Sequence, residues 1–236
     1  MVEETKEAQP FHWPPLEGNA EIFTEYMVKG GLDGSKFAFN EIFGFEEDLL
    51  AFIPAPRYGV IICAERLKKA EDKERGDLAV EKDFYMDQSG TLDNACGVIA
   101  CLHLIYNNLG ADKIVLEDGK VLKAFHTAIQ GKNNAEIATC MESFSQFKEL
   151  HGEYASRGDS NQATEQSGVK HHFIAYTINK NNQLIELDGT KKGPVVVAEN
   201  CTDVLAGSIT EIQRRLKDGE ISESLSMMSF NAKGEM

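Results

Sequence analysis

No apolar run in this chain approaches the roughly 18 residues that a membrane-spanning helix requires. The balance of charge is not basic either. A net charge of −14 argues against nucleic acid and against anionic membranes, and suits a basic partner or simply solubility. There is no CxxC pair, and the five cysteines, Cys63, Cys96, Cys101, Cys140 and Cys201, are odd in number. That pattern points to reduced thiols, not to a disulfide framework or a zinc site. No metal and no cofactor is expected. Repeats, low-complexity blocks and convincing linkers are missing. Gly30-Gly31 and the GLDG at 31–34 lack the spacing of a phosphate-binding loop. The opening MVEETKEAQPFHW has neither the basic nor the apolar part of a secretory signal, so a cytoplasmic location is expected.

What is present is ordinary for a globular domain. The 236 residues are 42% hydrophobic and 26% charged, enough for one domain with a sizeable core. Residues 1–10 read as a polar tail ahead of a domain over 11–236. NAEIFTEYMVKGGL (19–32) has helical spacing and a Gly-Gly stop. FAFNEIFGFEEDLLAFIPAP (37–56) reads as a strand and a short helix closed by proline, and YGVIICAE (58–65) as a buried strand. RLKKAEDKERGD (66–77) holds nine charges in twelve residues and reads as a solvated excursion with nothing to bury. FYMDQSGTLDNACGVIACLHLIYNN (84–108) reads as strand, turn and helix, and helices are expected over 121–130 and 135–154. The polar stretch 151–170 reads as a long binding loop or lid. HHFIAYTI, NKNN and QLIELDG form a β-hairpin, followed by a helix over 203–219 and a last strand over 225–232. The order β–α–β–β–α–β implies one α/β domain.

A thiol nucleophile needs a lowered pKa, a base beside it and donors for the oxyanion it generates. Cys96 stands where a helix should begin, with Asp93 or Asn94 to cap it, at the positive end of the helix dipole. The hairpin supplies a base: His172 opens its first strand and Asp188 closes the second, sixteen residues later. One register sets His172 opposite Asp188, where a carboxylate can hold an imidazole in one tautomer. Other registers pair the aspartate with Phe173 or His171, so the pattern alone leaves both histidines open. A metal site is a poor reading of the HH pair, because adjacent strand residues face opposite ways. His103 and His126 lie on apolar helices and read as core histidines, whereas His12 and His151 read as peripheral.

Three segments, WPPLEGNAEIFTEYMVKGGL, TLDNACGVIACLHLIYNN and HHFIAYTINKNNQLIELDGTKKGP, together resemble the ubiquitin carboxyl-terminal hydrolases, from about Trp13 to Ala232. The resemblance implies a papain-like α/β/α single domain with a central antiparallel sheet and a knotted backbone. It implies thiol-dependent hydrolysis after the C-terminal glycine of ubiquitin, with Cys96 as nucleophile, His172 as general base and acid, and Asp188 orienting that histidine. Ubiquitin or its conjugates would be the partner of a monomeric enzyme. Contacts would come from Pro15, Leu16, Glu17, Gly18, Asn19 and Ala20, and from residues near 218–223. The 151–170 stretch matches a crossover loop that favours small or unfolded adducts. An acidic groove would suit the basic tail of ubiquitin.

One feature departs from the family pattern, in which a glutamine six residues before the nucleophile helps to hold the oxyanion. Here that position is Gly90, and Gln88 lies two residues further upstream. Either Ser89-Gly90 is an insertion carried in a bulge, which glycine tolerates, or the donor is lost. The alternatives to a full hydrolase are a weak hydrolase or pseudo-enzyme that holds ubiquitin, or a hydrolase of a ubiquitin-like modifier.

Overall fold

Six strands pair into one antiparallel sheet in the order β1-β6-β2-β3-β4-β5 in a computed structural model that describes residues 11–110, 114–155, 157 and 171–234. The strands are β1 (Phe37–Glu41), β2 (Arg57–Arg66), β3 (His171–Ile178), β4 (Leu184–Leu187), β5 (Val195–Ala198) and β6 (Ile221–Ala232). Around them lie α1 (Ala20–Gly30), α2 (Glu47–Leu50), α3 (Lys69–Lys73), α4 (Cys96–Tyr106), α5 (Val121–Ala128), α6 (Asn134–Ser143), α7 (Ser145–Ala155) and α8 (Val204–Lys217). Alternation along the strands divides the core in two. Ile61, Phe173, Ala175 and Leu187 face a large apolar cluster around α4, while Val60, Ile62, Ile174 and Tyr176 face a smaller one around α8. The layering is therefore α/β/α, as the papain-like expectation requires.

Local chemistry explains the helices that frame the site. Asn19 caps α1 by accepting from the N–H groups of Glu21 and Ile22, and Gly31 closes it in the left-handed region at φ 113°. Every residue of α4 is buried, as befits a helix that is apolar all round. Gly59 lets α4 approach β2 closely, since a Cβ there would sit 2.4 Å from Leu104 Cδ2. Asn108, just past α4, then donates to the Leu104 carbonyl at 2.8 Å and to Thr177 Oγ1 at 3.2 Å. The nucleophile-bearing helix is thus fixed against both β2 and β3.

Several expectations are corrected. Residues 84–88 form no strand, because Asn107 and the Asp188–Gly189 turn take their backbone groups in place of a ladder: Phe84 N–H bonds Asn107 Oδ1 and Gln88 N–H bonds the Gly189 carbonyl. The helix expected over 135–154 breaks at Phe144, whose backbone is extended, giving α6 and α7. Helix α7 runs through Ala155 and so takes the first five residues of the 151–170 loop. Residues 156 and 158–170, like the 1–10 tail, lie outside the described residues. His103 is a core histidine, stacked on Tyr85. His151 is not peripheral: it is fully buried against Trp13, with Nε2 donating to the Pro14 carbonyl at 2.6 Å. The run 66–77 is not merely solvated, since Arg66 and Asp72 are both buried.

Candidate active site

Cys96 is the first residue of α4, with Ala95 at the cap position. Neither Asp93 nor Asn94 caps the helix as expected; Asp93 closes a 3-10 turn over Gly90–Leu92 instead. The first-turn N–H groups therefore have no capping side chain and are free to donate to an anion. Cys96 is only 7% exposed. Burial pushes its pKa up, but the hydrogen bond and charge of His172 and a backbone bond from Phe173 outweigh that, and Cys96 is held below the ordinary thiol value. Cys63 lies in the same cleft without such a partner, and burial pushes it up to about 12.

His172 Nε2 donates to Asp188 Oδ1 at 2.7 Å, which leaves Nδ1 as the ring nitrogen for the thiol. Burial pulls the imidazole down, but Asp188 and Cys96 raise it to about 9. None of the three registers weighed from sequence is formed. Leu187 stands opposite Ala175, so the ladder continued by one residue brings Asp188 level with Ile174. His172 and Asp188 meet along the diagonal, two positions apart on one face, within reach of a long side chain. Asp188 Oδ1 also accepts from Thr190 N–H at 3.0 Å and Thr190 Oγ1 at 2.9 Å, and Oδ2 from Arg66 Nη1 at 2.9 Å. Although burial works against its charge, His172, Arg66 and Lys191 hold Asp188 far below the usual carboxylate range.

Gln88 reaches the same cleft despite the two extra residues. Its backbone N–H donates to the Gly189 carbonyl at 2.8 Å, which ties it to the turn that carries Asp188. Its Nε2 donates to the Asp93 carbonyl at 2.8 Å, three residues before Cys96. A carbonyl can only accept, so this bond fixes which way the amide faces. Ser89-Gly90 are absorbed by the 3-10 turn, not by a strand bulge. Gly90 takes φ 60° there, and Thr91 N–H donates to Glu142 Oε1 at 2.6 Å.

The cleft, about 450 Å³, is also lined by Pro15, Leu16, Glu17 and Gly18. Gly18 passes over Phe173 and Ser226, where a Cβ would stand 3.0 Å from Ser226 Oγ. Asn19 is spent on capping, and Ala20 is buried with its N–H on Glu41 Oε1 at 2.7 Å. Of the 218–223 stretch, Asp218 to Glu220 form the connection into β6. The lining is not the acidic groove expected from the net charge. Arg66, Lys69 and Lys73 stand in it against Glu17 and Asp93. Among the described residues no cluster of three metal-ligating side chains occurs.

A family model described as ubiquitin carboxyl-terminal hydrolase, family 1, matches residues 13–217. The chain belongs to the ubiquitin carboxyl-terminal hydrolase family. Such hydrolases are cysteine-type enzymes, and this member is 29% identical over 214 residues to a ubiquitin carboxyl-terminal hydrolase of Aplysia californica, covering 89% of this chain and 97% of that one. It is 34% identical to one from Drosophila melanogaster, over 78% of this chain and 81% of the other. In fold it is similar to the crystallised Trichinella spiralis UCH37 catalytic domain bound to ubiquitin vinyl methyl ester, with a TM-score of 0.74 at 22% identity, covering 95% of this chain and 97% of that chain.

Sequence reasoning about this hydrolase missed two side chains at the site. Arg66 and Thr190 complete the surroundings of Asp188. Thr190 carried a signal, because a Thr two residues after Asp in a D-G-T turn is placed to bond back to the carboxylate. Arg66 carried none, since its run reads as solvated charge.

Proposed function

We propose that this chain hydrolyses the amide or ester bond that follows the C-terminal glycine of ubiquitin, with Cys96 as nucleophile, His172 as general base and acid, and Asp188 as the carboxylate that orients His172. The support is the His172–Asp188 bond at 2.7 Å, together with the lowering of the Cys96 thiol by the adjoining His172. In this reading the thiolate attacks the glycine carbonyl carbon while His172, as imidazolium, gives its proton to the departing amine. The carbon–nitrogen bond breaks and a thioester remains. Water then attacks as His172 takes its proton, and the thiolate is released. The N–H of Cys96 and the second N–H of Gln88 Nε2 receive the oxyanion. Pro15 to Gly18 would hold the incoming tail. The stretch 151–170, read as a crossover loop, would favour small or unfolded adducts. The enzyme would act as a monomer, and a cytoplasmic location would keep the nucleophile reduced.

Treatment with ubiquitin bearing a C-terminal thiol-reactive group, in parallel with the same probe built on ubiquitin-like modifiers, tests this. A covalent adduct at Cys96 with the ubiquitin probe is expected, together with loss of all cleavage in Cys96→Ala. Full activity in Cys96→Ala would sink the proposal, and an adduct with another modifier alone would reassign the substrate. One observation favours a slower enzyme that acts chiefly by holding ubiquitin: an N–H of Gln88 is already committed to Asp93. Removal of an oxyanion donor typically costs on the order of 10²–10³ in kcat. Gln88→Ala is expected to lose that much if Gln88 serves, and nothing if it does not.

A further inference from the structure

The charged run 66–77 ends β2 and returns to the site from behind. Pairing of β2 with β6 shifts between Ala64 and Arg66, and a ladder irregularity of this kind re-aims the side chains that follow it. Arg66 is 9% exposed. A single nitrogen, Nη1, donates to Asp188 Oδ2 at 2.9 Å and to Thr190 Oγ1 at 2.7 Å, while Thr190 Oγ1 donates on to Asp188 Oδ1 at 2.9 Å. Both carboxylate oxygens are therefore held by donors other than His172 as well, and rotation of the carboxylate would break several bonds at once. Arg66 itself is backed by Asp72, 4.0 Å from Nη1, and Asp72 is anchored by Lys191 at 2.8 Å and Arg215 at 3.2 Å.

We propose that Arg66 is a positioning residue for the triad: it fixes the Asp188 carboxylate against His172 and compensates its charge, so that the imidazole meets the thiol in a set orientation. This rests on the reading of Cys96, His172 and Asp188 given above. Charged and polar groups face Asp188 from several elements. Arg66 faces it from β2, His172 from β3, and Thr190 and Lys191 from its own turn. Asp72 acts on it from α3, Tyr85 through a bond to its carbonyl, and Cys96 and His103 from α4. Glu186 and Arg215 lie behind Lys191 and neutralise one another. Of the cations in this set, Arg66 alone bonds the carboxylate directly without itself belonging to the reacting line.

Two variants separate position from charge. Arg66→Gln retains amide donors and loses the charge, whereas Arg66→Lys retains the charge. Rates of Cys96 alkylation by iodoacetamide are read against pH on the whole chain, beside kcat and KM for a ubiquitin C-terminal fluorogenic amide. In Arg66→Gln, kcat should fall on the order of 10- to 100-fold at unchanged KM, the scale of a misplaced reacting group. The acid limb of alkylation should also move to higher pH, because an uncompensated Asp188 disfavours the thiolate. Arg66→Lys should restore that limb. Wild-type kcat and limb in Arg66→Gln would overturn the proposal, as would a fall in kcat with the limb unmoved, which is what mere structural damage gives. If Arg66→Gln does not fold, Thr190→Val decides: a loss of kcat at unchanged KM with the alkylation limb moved supports the clamp, and wild-type kcat or an unmoved limb overturns it. Alkylation needs no ubiquitin. Slow alkylation of wild-type Cys96 would fail the triad reading itself, while fast alkylation with identical profiles in wild type and Arg66→Gln would fail this inference alone.

Discussion

The two faces of the sheet are built on different physics. The face under α4 is largely apolar, His103 being among its few buried polar groups, with Val98, Ile99, Leu102 and Ile105 among side chains that are at most 2% exposed. The face under α8 also buries aliphatic residues, but beside them it buries Arg66, Asp72, Glu186, Asp188, Lys191 and Arg215. Asp72, Lys191, Glu186 and Arg215 alternate in sign around a closed ring of ion pairs. Apolar contact is non-directional and favourable by area, so the first face holds α4 firmly without dictating the angle of any one group. Buried ions lose several kcal/mol each on leaving water and recover it only with good geometry and full hydrogen bonding, so the second face constrains positions tightly. The candidate triad joins the two: Cys96 comes from the apolar side, and the carboxylate that aims its histidine from the charged side. A reacting group is delivered by packing, and its partner is oriented by charge.

This contrast can be broken from either side. The largest effect is expected at the junction: Asp188→Asn should keep the fold and lower kcat by about 10⁴, the scale for removing a triad carboxylate's charge. Measured turnover within tenfold of wild type would show that Asp188 does not aim His172. Next is Arg215→Met, which leaves Asp72 and Glu186 short of a cation. Chemical denaturation should register a loss of about 3–5 kcal/mol, the cost of an uncompensated buried charge. On the apolar face Leu102→Ala should cost about 2–5 kcal/mol through its cavity, with turnover per folded molecule little changed. A comparable loss of turnover there would erase the distinction between the faces.

The faces should also separate with pH. Asp72 and Asp188 are held below their ordinary values, so the stability they add is complete above about pH 4 and is lost as pH falls below it. His172 is raised to about 9, so its contribution is complete below its unfolded value of about 6.5 and is lost as pH rises through about 9. Turnover should decline over that same alkaline limb as the imidazolium is lost. Arg215→Met should flatten the acid limb of the stability curve, whereas Leu102→Ala should lower the curve evenly. Smallest is Asn19→Ala, which should cost about 1 kcal/mol as a lost helix cap, and it probes whether the residue serves α1 or the cleft.

Much of this protein was legible in the sequence because the signals are local. The Asn19 cap and Gly31 stop of α1, the apolar run of β2, the hairpin around NKNN and the continuous apolar body of α4 each depend on residues a few positions apart. Cys96, His172 and Asp188 could be singled out for the same reason, since each stands at or beside the end of an element where a polar group can face a cleft. What only the tertiary structure decided depends on residues far apart in the chain. The diagonal meeting of His172 with Asp188 follows from a register that pattern could not choose. Gln88 reaches the cleft because a carbonyl at Gly189 and a carboxylate at Glu142 hold the inserted turn from two other elements. Arg66 reads as solvated when its neighbours in the chain are the only company considered. It becomes buried because Asp188, 122 residues away, supplies the opposite charge. Burial of a charge is settled by its partner, and the partner is known only once the chain has folded.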